Sequence, residues 1–160
     1  MADRSAGILL YRRRAQPEVY LGHMGGPFWS RHDSGAWSIP KGMIQDDEEP
    51  LEAARREFGE EVGAAAPAID YVELGVFRYA SGKTVTVFAG ESTQAPTEAH
   101  SALFTIEWPP RSGRQQSFPE LDRVAWFRLD EAEKRLVPGQ RAAIAALRVL
   151  LRPLEPDPPG

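Results

Sequence analysis

The stretch from Pro50 to Val62 constrains this chain more than any other. A proline stands in its first turn, behind the acids Asp46, Asp47, Glu48 and Glu49, and Gly63 stands where a C′ glycine closes a helix. Between them Leu51, Ala54, Phe58 and Val62 recur at three- and four-residue steps, the spacing of a helix stripe that must be buried. Glu57, Glu60 and Glu61 occupy positions i, i+3 and i+4 and so share another face, roughly 130° away at about 100° per residue. Each like-charged pair at that spacing destabilises a helix by a few tenths of a kcal/mol. A solvated acidic face supported by Arg55 and Arg56 is one reading of the pattern. A bound cation is the other, because an all-oxygen donor set suits magnesium or manganese rather than zinc. Gly59 costs about 1 kcal/mol against alanine in a helix interior, so packing or metal must supply the rigidity.

Strands dominate the rest. Ala6–Tyr11 and Glu18–Gly22 flank a polar turn with Pro17 and predict a hairpin. Trp37–Ile39 reads as a short strand stopped by Pro40. Tyr71–Tyr79 and Thr84–Ala89 flank Ser81-Gly82-Lys83 and predict a second hairpin, and Leu103–Trp108 and Arg123–Leu129 complete the strands. Pro109 to Arg114 reads as loop. Further helices are expected at Asp130–Leu136 and Gln140–Leu151, and Arg12-Arg13-Arg14 as a solvated turn. The length of 160 residues fits one domain over residues 1–152, with a disordered proline-rich tail at 153–160. The pattern is α/β, a mixed sheet with helices packed against it.

Reading from Gly42, the chain has five residues to Glu48, seven more, and then Arg56-Glu57-Phe58-Gly59-Glu60-Glu61-Val62-Gly63-Ala64. This resembles the Nudix box, and all seven of its fixed residues stand at the right spacing within residues 42–64. Phe58 is bulkier and Ala64 smaller than the usual apolar residues of the motif. The likeness extends outside it. Trp37-Ser38-Ile39-Pro40-Lys41-Gly42 and Gly82-Lys83-Thr84-Val85-Thr86-Val87-Phe88 are similar to segments of the diadenosine-polyphosphate hydrolase branch. Trp108 to Arg114, Phe118-Pro119-Glu120 and Trp126-Phe127 resemble a bacterial Nudix group, in which an acid is expected where this chain has Met43.

The resemblance implies an α/β/α sandwich with a mixed central sheet and a loop–helix–loop catalytic motif. It makes Glu57, Glu60 and Glu61 the metal-binding face for Mg2+, with Mn2+ as substitute. Arg56 would orient the glutamates through an i, i+4 pair with Glu60. Gly42 would permit a tight loop, and Glu48 would reach back to support it or ligate indirectly. Glu120, just before a strand, is the candidate for a further ligand or base, with Glu107 as rival. Lys41, Gly42, Lys83, Arg111 and Arg114 are the candidate substrate contacts.

Other signals are set aside. Gly82-Lys83-Thr84 mimics the end of a P-loop, but its first glycine would fall on Phe77. His23, His32 and His100 lack metal-ligand spacing and read as structural or exposed. Trp29, Trp37, Tyr79 and Phe118 suit core packing better than base stacking.

The absence of cysteine excludes thiolate metal sites and a cysteine nucleophile, and fits a cytoplasmic enzyme. The apolar run Ile8–Tyr11 is too short for a signal h-region or membrane span. A net charge of −4 provides no field for stable nucleic-acid binding, so a polyphosphate substrate needs an intervening cation. The expected activity is hydrolysis of a diphosphate linkage in a nucleoside diphosphate joined to another group, with dinucleoside polyphosphates favoured. ADP-ribose, damaged nucleotides and capped RNA ends are alternatives, as is a nucleotide-binding domain without catalysis. A homodimer is compatible with all of them.

Overall fold

The computed structural model describes residues 3–152; the tail at 153–160 lies outside them. Nine strands and three α-helices follow in the order β1 Arg4–Arg13, β2 Pro17–Met24, β3 Trp37–Ser38, β4 Lys41–Met43, α1 Pro50–Val62, β5 Val72–Arg78, β6 Thr84–Glu91, β7 Leu103–Glu107, β8 Gln115–Pro119, β9 Leu121–Arg128, α2 Leu129–Arg135 and α3 Arg141–Leu151. A 3₁₀ turn at Pro138–Gln140 leads into α3.

The main sheet is seven-stranded and mixed, with the path β3-β2-β1-β6-β5; β4 adds to β1 and β9 to β2. β1 and β6 pair in parallel from Arg4 with Thr84 to Tyr11 with Glu91, and the other pairings are antiparallel. The near-continuous apolar runs of β1 and β6 follow from burial on both faces. Alternation then divides their side chains between two cores. Leu9, Val19, Leu21, Val85 and Val87 meet Ala132 of α2 and Ile144 and Leu147 of α3. Ala6, Ile8, Leu10, Tyr20 and Phe88 face Ala54, Phe58 and Val62 of α1. Helices therefore cover both faces, giving the α/β/α arrangement.

Helix α1 has the expected ends. Its C-terminus closes on Gly63 at φ 89°, where the amide donates to the Gly59 carbonyl at 2.9 Å. Its buried residues are Ala53, Ala54, Phe58 and Val62, while Leu51 packs at the core's margin. The basic run after the first strand differs from expectation. β1 continues through Arg13, Arg12 pairs with Glu18 at 2.6 Å and Arg13 with Glu91 at 3.2 Å, so only Arg14 is left to the turn. Two strands were not expected from sequence, β4 and β8; the latter pairs only with β7, making a two-stranded arm.

Candidate active site

The site is assembled where α1 faces the turn between β3 and β4. Gly42 pairs with Ala6 of β1, which fixes the turn against the sheet. A Cβ on Gly42 would stand 2.0 Å from the Glu57 carboxyl carbon, so the loop and that carboxylate pack together only because the residue is glycine. The Lys41 amide donates to Glu61 Oε2 at 3.2 Å.

Arg56 organises the acids from below. Its Nε and Nη2 donate to the two Glu48 carboxylate oxygens at 2.9 and 3.0 Å, a bidentate fork. Nη1 reaches Glu57 Oε1 at 2.8 Å and Glu60 Oε1 at 3.3 Å, and Nη2 also donates to the Met43 carbonyl at 2.9 Å. One planar cation thus ties the loop to three carboxylates. Glu48 additionally accepts the Gln45 amide at 3.0 Å. The arginine and that amide hold the Glu48 carboxyl down at about 2, and the Glu48 bond raises Arg56 in turn.

Above this network lies a cavity of about 290 Å³, lined by Lys41, Gly42, Met43, Glu57, Glu60, Glu61, Ala102 and Glu120. Loss of water pushes the Glu61 carboxyl up to about 8; the nearby Lys41 charge opposes this, and Glu120 and Glu57 add to it. Glu120 is raised by the same causes, desolvation first, with Lys41 opposing and Glu57 adding. Burial and acidic neighbours that favour protons on these carboxyls also favour a cation beside them. Among the described residues no three acidic or imidazole side chains already converge as a ligand set; Arg56 and the Lys41 amide engage these carboxylates instead.

Of the residues singled out from sequence, Glu57, Glu60, Glu61, Glu120, Lys41 and Gly42 come together here, with Arg56 behind them. Lys83 does not. It sits in the β5–β6 turn, 3.6 Å from Asp3. Arg111 and Arg114 stand exposed at the tip of the β7–β8 arm, outside the cavity lining. Glu107, the rival acid, accepts the Gly113 amide on that arm at 2.9 Å.

Sequence reasoning missed the support behind the loop. Gln140 is fully buried: its side-chain oxygen accepts the Ile39 amide at 2.8 Å, and its nitrogen donates to Ser38 Oγ at 3.0 Å and the Tyr79 hydroxyl at 2.8 Å. A larger cavity, about 820 Å³, lies beside Trp37, Arg123 and Arg135. Two of its acids are engaged internally: Asp33 pairs with Arg135 at 2.6 Å, and Asp122 with the buried His23 at 2.8 Å.

The NUDIX domain family matches residues 1–147. The RNA pyrophosphohydrolase of Gluconacetobacter diazotrophicus is 45% identical over 140 residues, 84% of this chain and 76% of that protein. The RNA pyrophosphohydrolase of Rhizobium meliloti is 29% identical, over 91% of this chain and 93% of that one. Among solved structures, a binary complex of a C. elegans Ap4A hydrolase superposes with a TM-score of 0.65 at 19% identity, covering 92% of this chain and 97% of its own. The NUDIX domain of Shewanella oneidensis NrtR, complexed with ADP ribose, gives 0.59 at 18% identity, with coverages of 95% and 90%. At such identities the structural likeness concerns the fold alone.

Proposed function

The chain belongs to the NUDIX family and is a pyrophosphohydrolase acting on phosphoanhydrides; from that premise we propose that it uses a divalent cation, Mg2+ or Mn2+, to cleave the diphosphate at the 5′ end of RNA. The observation that carries this reading is the cavity walled by Glu57, Glu60, Glu61 and Glu120, with Lys41 on its rim. The donor chemistry fits a hard cation, since every acidic group on the wall offers carboxylate oxygen. Glu57, Glu60 and Glu61 would hold it, with Glu120 as the further ligand or base. When bound, the cation neutralises phosphate charge and lends Lewis acidity at the phosphorus under attack.

The chain's own groups do the rest. Arg56 holds Glu57 and Glu60 in place and keeps Glu48 anchored to the loop. Gly42 lets the loop backbone approach, and Lys41 supplies a positive charge for a phosphate oxygen. The carboxylate left off the cation would take the proton of the attacking water, and Glu120 is the candidate for it.

The 45% identity to a protein named RNA pyrophosphohydrolase supports an RNA end over the dinucleoside polyphosphate favoured by local motifs. The likeness to Ap4A hydrolase is one of fold. Among the described residues no helix is long and apolar enough to cross a membrane, and we place the enzyme in the cytoplasm with the cellular RNA. The test is a panel: purified protein with magnesium against 5′-triphosphorylated RNA, diadenosine tetraphosphate, ADP-ribose and ordinary nucleoside triphosphates. Turnover of the RNA end, with the highest kcat/KM, is expected. No cleavage of any diphosphate would remove the proposal.

A further inference from the structure

The β7–β8 arm starts at the candidate cavity and leads away from it. Ala102 and Glu120 flank its two ends, both line the cavity, and the Glu120 amide donates to the Ala102 carbonyl at 2.9 Å. At about 3.4 Å per residue, β7 carries the chain roughly 17 Å from that base.

A second segment is laid along the arm. The Gly25 amide donates to the Glu120 carbonyl at 2.9 Å. A Cβ on Gly25 would stand 1.9 Å from the Pro119 carbonyl oxygen, and one on Gly26 would stand 2.8 Å from the Phe104 ring. Bare glycine backbone permits that approach, and it delivers Phe28 to Trp108, edge to face, with ring centroids 5.1 Å apart at 76°. Phe28 nevertheless remains 61% exposed. The Trp108 amide donates to the Arg114 carbonyl at 2.9 Å; Arg111 and Arg114 are exposed, and among the described residues neither forms an ion pair. The arm's only acid, Glu107, is already engaged by the Gly113 amide. A chain with net charge −4 thus carries, next to its candidate site, an aromatic surface with free guanidinium groups.

We propose that this arm is the platform for a single-stranded polynucleotide whose 5′ polyphosphate occupies the carboxylate cavity. Bases stack on the Phe28–Trp108 pair, and backbone phosphates meet Arg111 and Arg114. The inference rests on reading the cavity as the site of cleavage. The position of the arginines selects a polymer. A dinucleoside polyphosphate ends in a nucleoside and brings no phosphate beyond its second ribose, whereas a polynucleotide brings one per nucleotide. Aromatic faces accept any base, so the platform senses chain length rather than sequence. Such contact is salt-sensitive and weak in isolation, consistent with the absence of a global basic field.

The test compares 5′-triphosphorylated substrates from a mononucleotide up to chains of about eight nucleotides, within the usual single-strand site size. In the parent, kcat/KM rises by about tenfold or more with length. Phe28→Ala and the double change Arg111→Ala, Arg114→Ala each reduce that ratio severalfold. In the double variant the slope of log kcat/KM against log salt for the longest chain becomes shallower by about 1.4, two phosphates at about 0.7 each. Fluorescence anisotropy with an oligonucleotide bearing a 5′ hydroxyl reads the platform without cleavage, and its affinity falls in both variants. Turnover absent from every substrate would overturn the proposed function, and the anisotropy would still decide the platform. A flat length dependence in the parent, one that both variants retain, or an equal gain for diadenosine tetraphosphate overturns the inference.

Discussion

The corner around α1 and the β7–β8 arm meet at Glu120 but are built on opposite principles. In the corner one guanidinium answers most of the acids. Arg56 alone contacts Glu48, Glu57, Glu60 and the Met43 carbonyl, and Glu61 accepts the Lys41 amide. On the arm, Arg111 and Arg114 are exposed, and Phe28 keeps most of its surface in solvent. A dense, satisfied network holds geometry for a reaction at fixed distances. Exposed cations and aromatics are suited instead to a partner that arrives from outside. On the functions proposed above, chemistry falls to the corner and substrate choice to the arm, and that division can be broken experimentally from either end.

Removing the divalent cation strikes the corner alone and carries the largest expected effect. Excess chelator should lower turnover by roughly a thousandfold, several kcal/mol of barrier, with recovery on adding magnesium or manganese. Binding of a 5′-hydroxyl oligonucleotide to the arm should persist under the same conditions. Full turnover in chelator would take the cation out of the mechanism. Next come Glu60→Gln and Glu61→Gln, which keep size and remove charge. Each should reduce kcat by at least about tenfold, roughly 1.4 kcal/mol. Thermal melting should be unchanged or slightly higher, because repulsion is relieved. Either variant turning over at the parental rate would show that its carboxylate is not a ligand.

How much of this was legible follows the same division. The limits of α1 and its acidic face were readable because Pro50, Gly63 and the carboxylate spacing are local signals. The strand β4 was not: it is three residues long, follows a proline, and exists by pairing with Ser5–Gly7, far away in sequence. Nor was β8, whose Gln115, Gln116 and Ser117 are all exposed and show no alternation. Its register comes from β7. Gln140 carries no local mark either, since its partners Ser38, Ile39 and Tyr79 are brought to it only by the finished sheet. The likeness of the Lys83 segment to a substrate-contacting strand rested on sequence alone; hairpin register turns that residue toward Asp3.

Glu120 sharpens the boundary because it stands at the base of the arm yet on the cavity wall. If it belongs to the corner, Glu120→Gln lowers kcat severalfold with KM near the parental value, the sign of an interaction made in the transition state. Single Arg111→Ala and Arg114→Ala changes should fall chiefly on KM for long substrates, by a few-fold each. Steady-state kinetics on the three variants separates the cases. A Glu120 effect confined to KM would move that residue to the arm.

The smallest expected effect is on stability against pH, where two glutamates of the corner pull in opposite directions. The Glu61 carboxyl is raised from its ordinary 4.5 to about 8, so the folded state holds that proton more tightly than the unfolded one. Its contribution is complete below the ordinary value and is lost as pH rises through about 8. Glu48 is lowered from 4.5 to about 2, so its contribution is present above the ordinary value and is lost as pH falls through about 2. The metal-free protein should therefore melt highest in mildly acidic solution and lose Tm on the alkaline side of that optimum, progressively as the pH rises to about 8. Glu61→Gln should flatten that alkaline limb and leave the acid limb in place, while Glu48→Gln should do the reverse. Magnesium should shrink the alkaline loss in the parent, because a bound cation favours the ionised carboxylate that burial disfavours. An alkaline limb unchanged in Glu61→Gln would mean that some carboxyl other than Glu61 shapes it.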